Sequence, residues 1–188
     1  MRDHANSQDP AALIRPEQSI FVIIDVQERL VPVISEKELV IQNIIRLTRF
    51  SRIINVPILL TEQERLGGTL PEVGRVIPEV QAVSKHHFNC FGSEVFREKI
   101  KGSGRSVLIL AGIEAHICVL QTALSALSEF RVHVVSDAVS SRAPHNREVA
   151  LKRMAQSGVT ITSTETVIYE LLEKAGTPAF RKALALVK

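Results

Sequence analysis

Short, uninterrupted apolar runs recur along the chain, separated by polar segments. A run without polar alternation is typical of a strand that is buried on both faces of a sheet. Six runs of this kind predict six strands, at residues 20–25, 56–61, a short one that ends at 85, 107–111, 132–136 and 159–162. Because helical patterns lie between these runs, the strands are expected to be parallel and to be covered on both faces, as in an α/β fold.

The segments between the predicted strands carry apolar residues at helical spacing. Helices are predicted at residues 38–54, 93–101 with Ser93 as N-cap, 116–130, from Pro144 onward, and 165–174. Residues 63–79 are rich in glycine and proline and predict a long surface loop. The pattern therefore indicates a three-layer α-β-α fold in one domain over residues 16–188, preceded by a loose arm at residues 1–15.

Composition narrows the class of protein without naming a function. The chain has 188 residues, of which 45% are hydrophobic and 23% charged, as expected of a globular domain. No apolar run approaches the roughly 18 residues that span a membrane, and the first 19 residues hold no stretch like a secretory signal. A cytoplasmic protein with reduced cysteines is expected. The net charge of +3, with one Tyr and no Trp, makes nucleic acid an improbable partner.

Three chemically distinctive residues follow three of the predicted strands. Asp25 and Lys85 end strand-like runs, and Cys118 lies just after another, at the start of a helix. The carboxyl ends of parallel strands meet at one edge of the sheet, where ligands bind. Unpaired N–H groups at a helix start favour a thiolate. The three residues predict a cysteine nucleophile, a carboxylate that takes its proton and a cation that stabilises the charges.

Each of these residues also has an ordinary interpretation. A cysteine beside a buried strand is usually a small hydrophobic residue, Asp25 alone could be a turn residue, and Lys85 alone a solvated charge. The catalytic hypothesis depends on all three occurring at strand ends. A carboxylate and an ammonium shift a thiol pKa in opposite directions, so the resting state of Cys118 does not follow from the sequence. Cys90 is interpreted as structural or as lining a pocket.

Three segments together resemble the isochorismatase-like cysteine hydrolases: residues 21–27, 84–85 and 112–119. The resemblance extends from about residue 19 to about residue 168. Residues 61–63 and 112–115 are most similar to the small isochorismatase-domain-containing proteins. The resemblance implies a Rossmann-like, six-stranded parallel sheet. It also implies that Cys118 is the nucleophile, Asp25 the general base and Lys85 the charge-stabilising residue.

The resemblance further implies an oxyanion site. A cis peptide bond at Ile113–Glu114 would turn a backbone N–H, together with that of Cys118, toward the developing negative charge. Five further residues are candidates for the substrate pocket, with core packing as the alternative for Phe88 and Phe91 and surface placement as the alternative for Glu62. These candidates are Gln27, Glu62, Phe88, Phe91 and His116.

No metal and no cofactor are expected. Nicotinamidases of the same superfamily bind a metal through an Asp-x-His pair, but residues 62–68 here contain no histidine, and the adjacent His86 and His87 would point to opposite faces of an extended segment. True isochorismatases lack the nucleophilic cysteine, so Cys118 favours a C–N bond of a small amide-like substrate. The apolar residues 183–187 favour a homo-oligomer. A non-catalytic scaffold and a ribonuclease-like activity are the alternatives.

Overall fold

A six-stranded parallel sheet organises the computed structural model, which describes residues 12–187. Its strands are β1 (Ser19–Ile24), β2 (Ile58–Gln63), β3 (Val83–Lys85), β4 (Val107–Ile113), β5 (Arg131–Ser140) and β6 (Thr160–Thr162). Its α-helices are α1 (Lys37–Ile53), α2 (Pro71–Gly74), α3 (Glu94–Gly102), α4 (Leu120–Ala126), α5 (Pro144–Gln156), α6 (Thr164–Leu172) and α7 (Pro178–Val187). The strand order is β3-β2-β1-β4-β5-β6. The predicted α/β fold with six parallel strands is confirmed.

Two apolar layers cover the two faces of this sheet. On one face Phe21 and Ile109 pack in a core shared with α1, α6 and α7. On the other face Val22 and Leu108 pack in a core shared with α3, α4 and α5. Every residue of β1 and β4 is buried, which explains why both strands appear in the sequence as continuous apolar runs.

The strands continue further toward their carboxyl ends than the sequence indicated. β2 reaches Gln63, because Gln63 pairs with Lys85 of β3. β5 reaches Ser140, which pairs with Ile113 after a register shift in the ladder with β4. Pairing between strands, which the sequence does not display, therefore adds residues at the edge of the sheet where the candidate site lies.

The carboxyl-terminal apolar segment forms α7, a helix that the sequence did not predict. Ala183 is buried, and Leu186 and Val187 pack against the core beside α1. These residues cover the chain's own core, so they are a weaker argument for a homo-oligomer than the sequence suggested. The oligomer stays a prediction. No helix of residues 12–187 is long and apolar enough to cross a membrane.

Part of the predicted amino-terminal arm is fixed to the domain. Residues 1–11 lie outside the described residues. Ile14 is only 1% exposed, and its N–H donates to Glu170 Oε2 at 3.1 Å. The side chain of Arg131 donates to the carbonyl of Ala12. The prediction of a loose arm is wrong for residues 12–15, because Ile14 completes the apolar layer over one face of the sheet.

The two central strands, β1 and β4, leave no room for a side chain at Gly112. This residue pairs with Ile24 and has φ +144°, a conformation that favours glycine. A Cβ added there would lie 2.2 Å from the carbonyl oxygen of Ile24. No residue with a side chain fits unless β1 and β4 separate.

We expect Gly112→Ala to lower the free energy of unfolding by at least about 2 kcal/mol, since the substitution adds backbone strain and a clash with main-chain atoms. Urea denaturation measures the change. Gly102→Ala at the end of α3 is the matched control, because its Cβ would meet nothing within 4 Å. Equal stability of Gly112→Ala and the wild type would contradict the described approach of the two strands.

His133 is a buried titratable group in the interior of β5. It is 3% exposed, and its Nε2 has no hydrogen-bond partner among the described residues. Burial, and then the charge of Arg131, lowers the pKa of His133 to about 4 from an ordinary value of 6.5. The unfolded chain therefore binds a proton between these two pH values while the folded chain does not, and stability falls as the pH falls from 6.5 toward 4.

We expect His133→Leu to flatten the acid loss of stability between pH 6.5 and 4, by at most about 3 kcal/mol. Thermal unfolding of the wild type and the variant across this pH range measures the slope. His145→Leu, at an exposed position of α5, should leave the slope unchanged. A wild-type slope retained in His133→Leu would show that other groups cause the acid sensitivity.

Candidate active site

Asp25, Lys85 and Cys118 meet at the carboxyl edge of the sheet. Asp25 follows β1, Lys85 ends β3, and Cys118 lies in a π-helical turn, Ala115–Val119, between β4 and α4. Lys85 Nζ lies 2.7 Å from Asp25 Oδ2 and 3.8 Å from Cys118 Sγ. All three residues are buried. The structure thus brings together the three side chains that the sequence singled out.

The carboxylate of Asp25 is oriented by its backbone and by β2. Its φ of 54° turns the chain sharply at the end of β1, a conformation that aspartate tolerates better than most residues. Thr61 Oγ1 donates to Asp25 Oδ1 at 2.7 Å, which leaves Oδ2 for Lys85. The Asp25–Lys85 pair is almost fully buried, so losing either partner would leave an uncompensated charge in the core.

The ammonium of Lys85 has three oxygen acceptors. Besides Asp25, it donates to Gln63 Oε1 at 2.8 Å and to the carbonyl of His87 at 3.2 Å. Burial lowers the pKa of Lys85, but Asp25 first and then the two cysteine sulfurs raise it by more, so the pKa lies above its ordinary value. Lys85 is therefore a fixed positive charge beside the sulfur of Cys118.

The surroundings of Cys118 favour the protonated form of its thiol. Burial first, and then the negative charge of Asp25, raises its pKa, and the nearby Lys85 offsets only part of this. The sequence suggested that the helix-start N–H groups and Lys85 would favour a thiolate. Their effect on the pKa of Cys118 is smaller than that of burial and Asp25. The second thiol, Cys90, is fully buried, and burial raises its pKa to about 11.

The predicted cis peptide bond at Ile113–Glu114 is wrong, since no cis bond occurs within residues 12–187. Glu114 instead adopts a left-handed backbone, with φ 56° and ψ 59°, which turns the chain into the π-helical turn. Glu114 caps this turn without a side-chain hydrogen bond. Candidate oxyanion donors are therefore the N–H groups at the start of the helix, including that of Cys118.

Two of the predicted pocket residues fix a loop. Gln27 is fully buried. Its Nε2 donates to the carbonyls of Gln63 and Gly67, and its Oε1 accepts from the N–H of Gln63. Both ends of the Gln27 amide are thus occupied by backbone groups, which favours a structural role, and its role in the pocket stays a prediction. Glu62 Oε1 accepts from both the N–H and the hydroxyl of Thr69 at 2.7 and 2.6 Å. These contacts hold residues 63–69 beside the site.

The other predicted pocket residues lie on two sides of Asp25, Lys85 and Cys118, which are called the triad below. Phe88 is 53% exposed in the loop that follows Lys85. Phe91 packs edge-on against Phe96, with ring centroids 5.1 Å apart, which agrees with its packing alternative. His116 Nδ1 lies 3.0 Å from Ser141 Oγ, toward β5. A substrate role for Phe88 and His116 stays a prediction.

Glu114 and Arg142 form an ion pair beside His116. The Glu114 side chain is 5% exposed, Arg142 Nε lies 2.5 Å from its Oε1, and His116 Nδ1 lies 3.3 Å from its Oε2. Neither carboxylate oxygen has hydrogen-bond geometry with a described residue, so these contacts are electrostatic. Glu114 therefore links the turn before Cys118 to the end of β5.

The histidines are dispersed rather than grouped. His86 Nε2 contacts Glu64 at 2.8 Å, and the His87 ring lies against Gly92, while His116 lies on the opposite flank near Ser141. Within residues 12–187 no group of three or more His, Cys, Asp or Glu side chains could hold a metal ion.

Thr61 and Gln63 are not among the site residues that the sequence predicted. Thr61 pairs in register with Ile24 beside Asp25, and Gln63 pairs in register with Lys85. Each therefore lies next to a charged group of the triad. Their position at the carboxyl end of β2 was the available signal, but the register that decides their neighbours is not visible in the sequence.

The sequence profile described as "Isochorismatase domain" matches residues 19–166, which include all three triad residues. The chain belongs to the isochorismatase family. Relatives cover nearly its whole length. It is 38% identical over 92% of the chain, and 86% of the relative, to the "Secreted isochorismatase effector Isc1" of Phytophthora sojae. It is 40% identical over 93% of the chain, and 85% of the relative, to "Isochorismatase domain-containing protein 2A" of Mus musculus.

Solved structures of the isochorismatase fold superimpose closely. A MAR1 ribonuclease from Caenorhabditis elegans is 33% identical, with a TM-score of 0.88 over 94% of this chain and 92% of its own. YcaC from Pseudomonas aeruginosa, with hexane-2,5-diol and covalent acrylamide, is 25% identical, with a TM-score of 0.87 over 94% and 92%. The Escherichia coli YcaC gene product, described as an octameric hydrolase of unknown specificity, is 25% identical, with a TM-score of 0.85 over 95% and 89%. The family fold supports a hydrolase kind of function.

We expect native Cys118 to be alkylated by iodoacetamide slowly at neutral pH, and faster as the pH rises to 9.5 without a plateau, because its pKa is raised. Cys90 should react more slowly still, since it is 0% exposed and Cys118 is 5% exposed. Peptide mapping after timed labelling measures both rates, with urea-unfolded protein as the control. A plateau below pH 8 would mean that Lys85 already holds a thiolate.

Proposed function

We propose that this isochorismatase-family protein is a hydrolase that uses Cys118 to cleave a C–N bond of a small amide-like substrate. The observation that carries the proposal is a pair of contacts in one buried cluster. Lys85 Nζ contacts both the Asp25 carboxylate and the Cys118 sulfur. An arrangement of base, cation and thiol is costly to bury. Nucleophilic catalysis by a protonated thiol requires this arrangement, because a base must take the proton and a cation must stabilise the thiolate.

The reaction begins with proton transfer from Cys118 to Asp25. The thiolate then attacks the carbonyl carbon, and the new C–S bond produces a tetrahedral intermediate with a negative oxygen. Asp25 returns the proton to the nitrogen, the C–N bond breaks, and the amine leaves. Asp25 next takes a proton from water, whose oxygen attacks the thioester. The C–S bond breaks, the acid is released, and Cys118 regains its proton.

The remaining parts of the site support these steps without a metal. Lys85 stabilises the thiolate when it forms, since its raised pKa keeps it charged. The N–H groups at the start of the π-helical turn are candidate donors to the oxyanion, except that of Ile117, which donates to the Glu114 carbonyl at 2.9 Å. Thr61 fixes the carboxylate of Asp25 in the orientation that reaches Lys85. No cofactor has a part in these steps.

A structural neighbour adds chemical support. The YcaC protein of Pseudomonas aeruginosa is described with covalent acrylamide. Acrylamide is an electrophile that combines an amide group with reactivity toward thiolates, which are the two features that the proposed reaction at Cys118 joins. We extend this to Cys118 as part of the proposal, because the two chains share the fold over 94% of the present one.

Names of relatives suggest two competing activities. One relative is named an isochorismatase effector and one structural neighbour a ribonuclease. A vinyl ether or an RNA substrate would each be cleaved at a bond other than an amide C–N bond. A non-catalytic scaffold is the third alternative, and the buried Asp25–Lys85 pair argues against it, since a scaffold needs no buried charge beside a thiol. The cytoplasmic location stays a prediction, and the relative just mentioned is named a secreted effector.

We expect wild-type protein to release ammonia or an amine from at least one member of a panel of small amides and ureides. Cys118→Ala, Asp25→Asn and Lys85→Met should each lower kcat/KM by at least about 100-fold. Double variants should lose little more than single ones, because the three side chains act as one unit. Initial rates on the best substrate measure these effects.

Folding must be separated from chemistry in these variants. Each single change at Asp25 or Lys85 leaves a buried charge, whereas the double variant Asp25→Asn/Lys85→Met buries none, so it should regain stability without activity. Isochorismate and a single-stranded RNA complete the panel. Turnover of either that is unaffected by Cys118→Ala would overturn the thiol mechanism. Turnover that is lost with EDTA and restored by zinc or iron would overturn the metal-free mechanism.

A further inference from the structure

The ammonium of Lys85 has no N–H left for the sulfur of Cys118. An ammonium group carries three N–H donors. Lys85 uses them on Asp25 Oδ2 at 2.7 Å, Gln63 Oε1 at 2.8 Å and the carbonyl of His87 at 3.2 Å. The Cys118 sulfur, at 3.8 Å, is thus a fourth contact of a group that already has three oxygen partners. Lys85 cannot donate fully to a thiolate unless it gives up one of them.

The three oxygen acceptors are not equally firm. The bond to Asp25 is short and joins opposite charges, and the bond to Gln63 is nearly as short. The carbonyl of His87 is neutral and the most distant of the three, so it costs least to release. Gln63 also binds the segment that contains His87, because its Nε2 donates to the carbonyl of the preceding residue, His86, at 2.7 Å. Gln63 therefore contacts both Lys85 and the backbone next to the releasable acceptor.

We propose that Gln63 is a positioning residue that holds Lys85 in its resting arrangement, and that Lys85 stabilises the Cys118 thiolate by exchanging the carbonyl of His87 for the sulfur. In this exchange the proton of Cys118 moves to Asp25, and one N–H of Lys85 turns from the His87 oxygen to the sulfur. The net charge of the cluster does not change. The proposal rests on the proposed function, since it describes how the same thiol becomes a nucleophile.

The occupied donors of Lys85 add to burial and to Asp25 in favouring the protonated thiol of Cys118, although the lysine lies 3.8 Å away. The positive charge is close to the sulfur, but its directed donors are occupied. An acceptor that competes for Lys85 therefore opposes thiolate formation, although its side chain never touches the sulfur. Removing that acceptor should make the thiol more acidic, while strengthening it should make the thiol less acidic.

The test is the pH profile of Cys118 alkylation by iodoacetamide, which needs no substrate. Gln63→Met has similar length but lacks the amide oxygen, so a donor of Lys85 becomes free for the sulfur. We expect alkylation about tenfold faster between pH 7 and 9, which is a displacement of the profile by about one pH unit to lower pH. Gln63→Glu keeps an acceptor for Lys85 and adds a negative charge, so its profile should move to higher pH.

The opposite directions separate positioning from mere loosening of the loop. Both variants lose the amide donor to the carbonyl of His86, so a looser loop alone would speed alkylation in both. Glu64→Ala is the matched control: it removes the side-chain contact to the His86 ring at 2.8 Å and keeps the backbone N–H that donates to the Lys85 carbonyl at 3.1 Å. Its alkylation rate should stay within about twofold of the wild type. Circular dichroism and thermal unfolding establish that each variant is folded.

Faster alkylation in both Gln63 variants, or in Glu64→Ala as well, would overturn the proposal in favour of simple access. An unchanged or slower rate in Gln63→Met would overturn it by showing that the amide oxygen does not compete with the sulfur. If Gln63→Met does not fold, the slower rate expected for Gln63→Glu decides between positioning and access. Failure of the amide panel with these alkylation shifts intact would reject the proposed reaction but not the exchange at Lys85.

Discussion

The buried ion pair between Asp25 and Lys85 is the constraint on which the site depends. Its two members come from strands that are not neighbours, since β2 lies between β1 and β3. β2 fills the gap with the hydroxyl of Thr61 and the amide of Gln63, which bind one charge each. A buried pair of this kind rarely stabilises a fold more than apolar packing would, but breaking it costs about 3–5 kcal/mol. The edge of three strands must therefore move as one unit.

The same pair determines the properties of Cys118. A thiol beside a lone lysine at a helix start would lose its proton easily. Here the lysine is already engaged, and the carboxylate that engages it also repels a thiolate. In the proposed mechanism, the result is a nucleophile whose neutral form is favoured at rest, with its base and its cation in place. Such a site limits reaction with stray electrophiles, because activation needs a proton transfer within the cluster.

The strands could be predicted from the sequence because a strand that is buried on both faces is a continuous run of apolar residues. Asp25, Lys85 and Cys118 could be predicted because each follows or ends such a run. Asp25 stands out for that reason, directly after five apolar residues of β1. Properties that depend on pairing were not accessible. The register that places Gln63 beside Lys85, the backbone of Glu114 and the protonation of Cys118 all arise from contacts between distant segments. The helix α7 was missed because its apolar residues also fit an exposed assembly surface.

The π-helical turn Ala115–Val119 carries one residue more than an α-helical turn would accommodate. Each residue of an α-helix advances by about 100°, so the extra one sets the rotation of everything that follows. Cys118 faces Lys85 while Ala123 of α4 faces the sheet core. A single-residue deletion here would rotate one of them away from its partner. The length of this turn therefore couples the orientation of the sulfur to the packing of the helix behind it, and insertions or deletions are less tolerable here than substitutions.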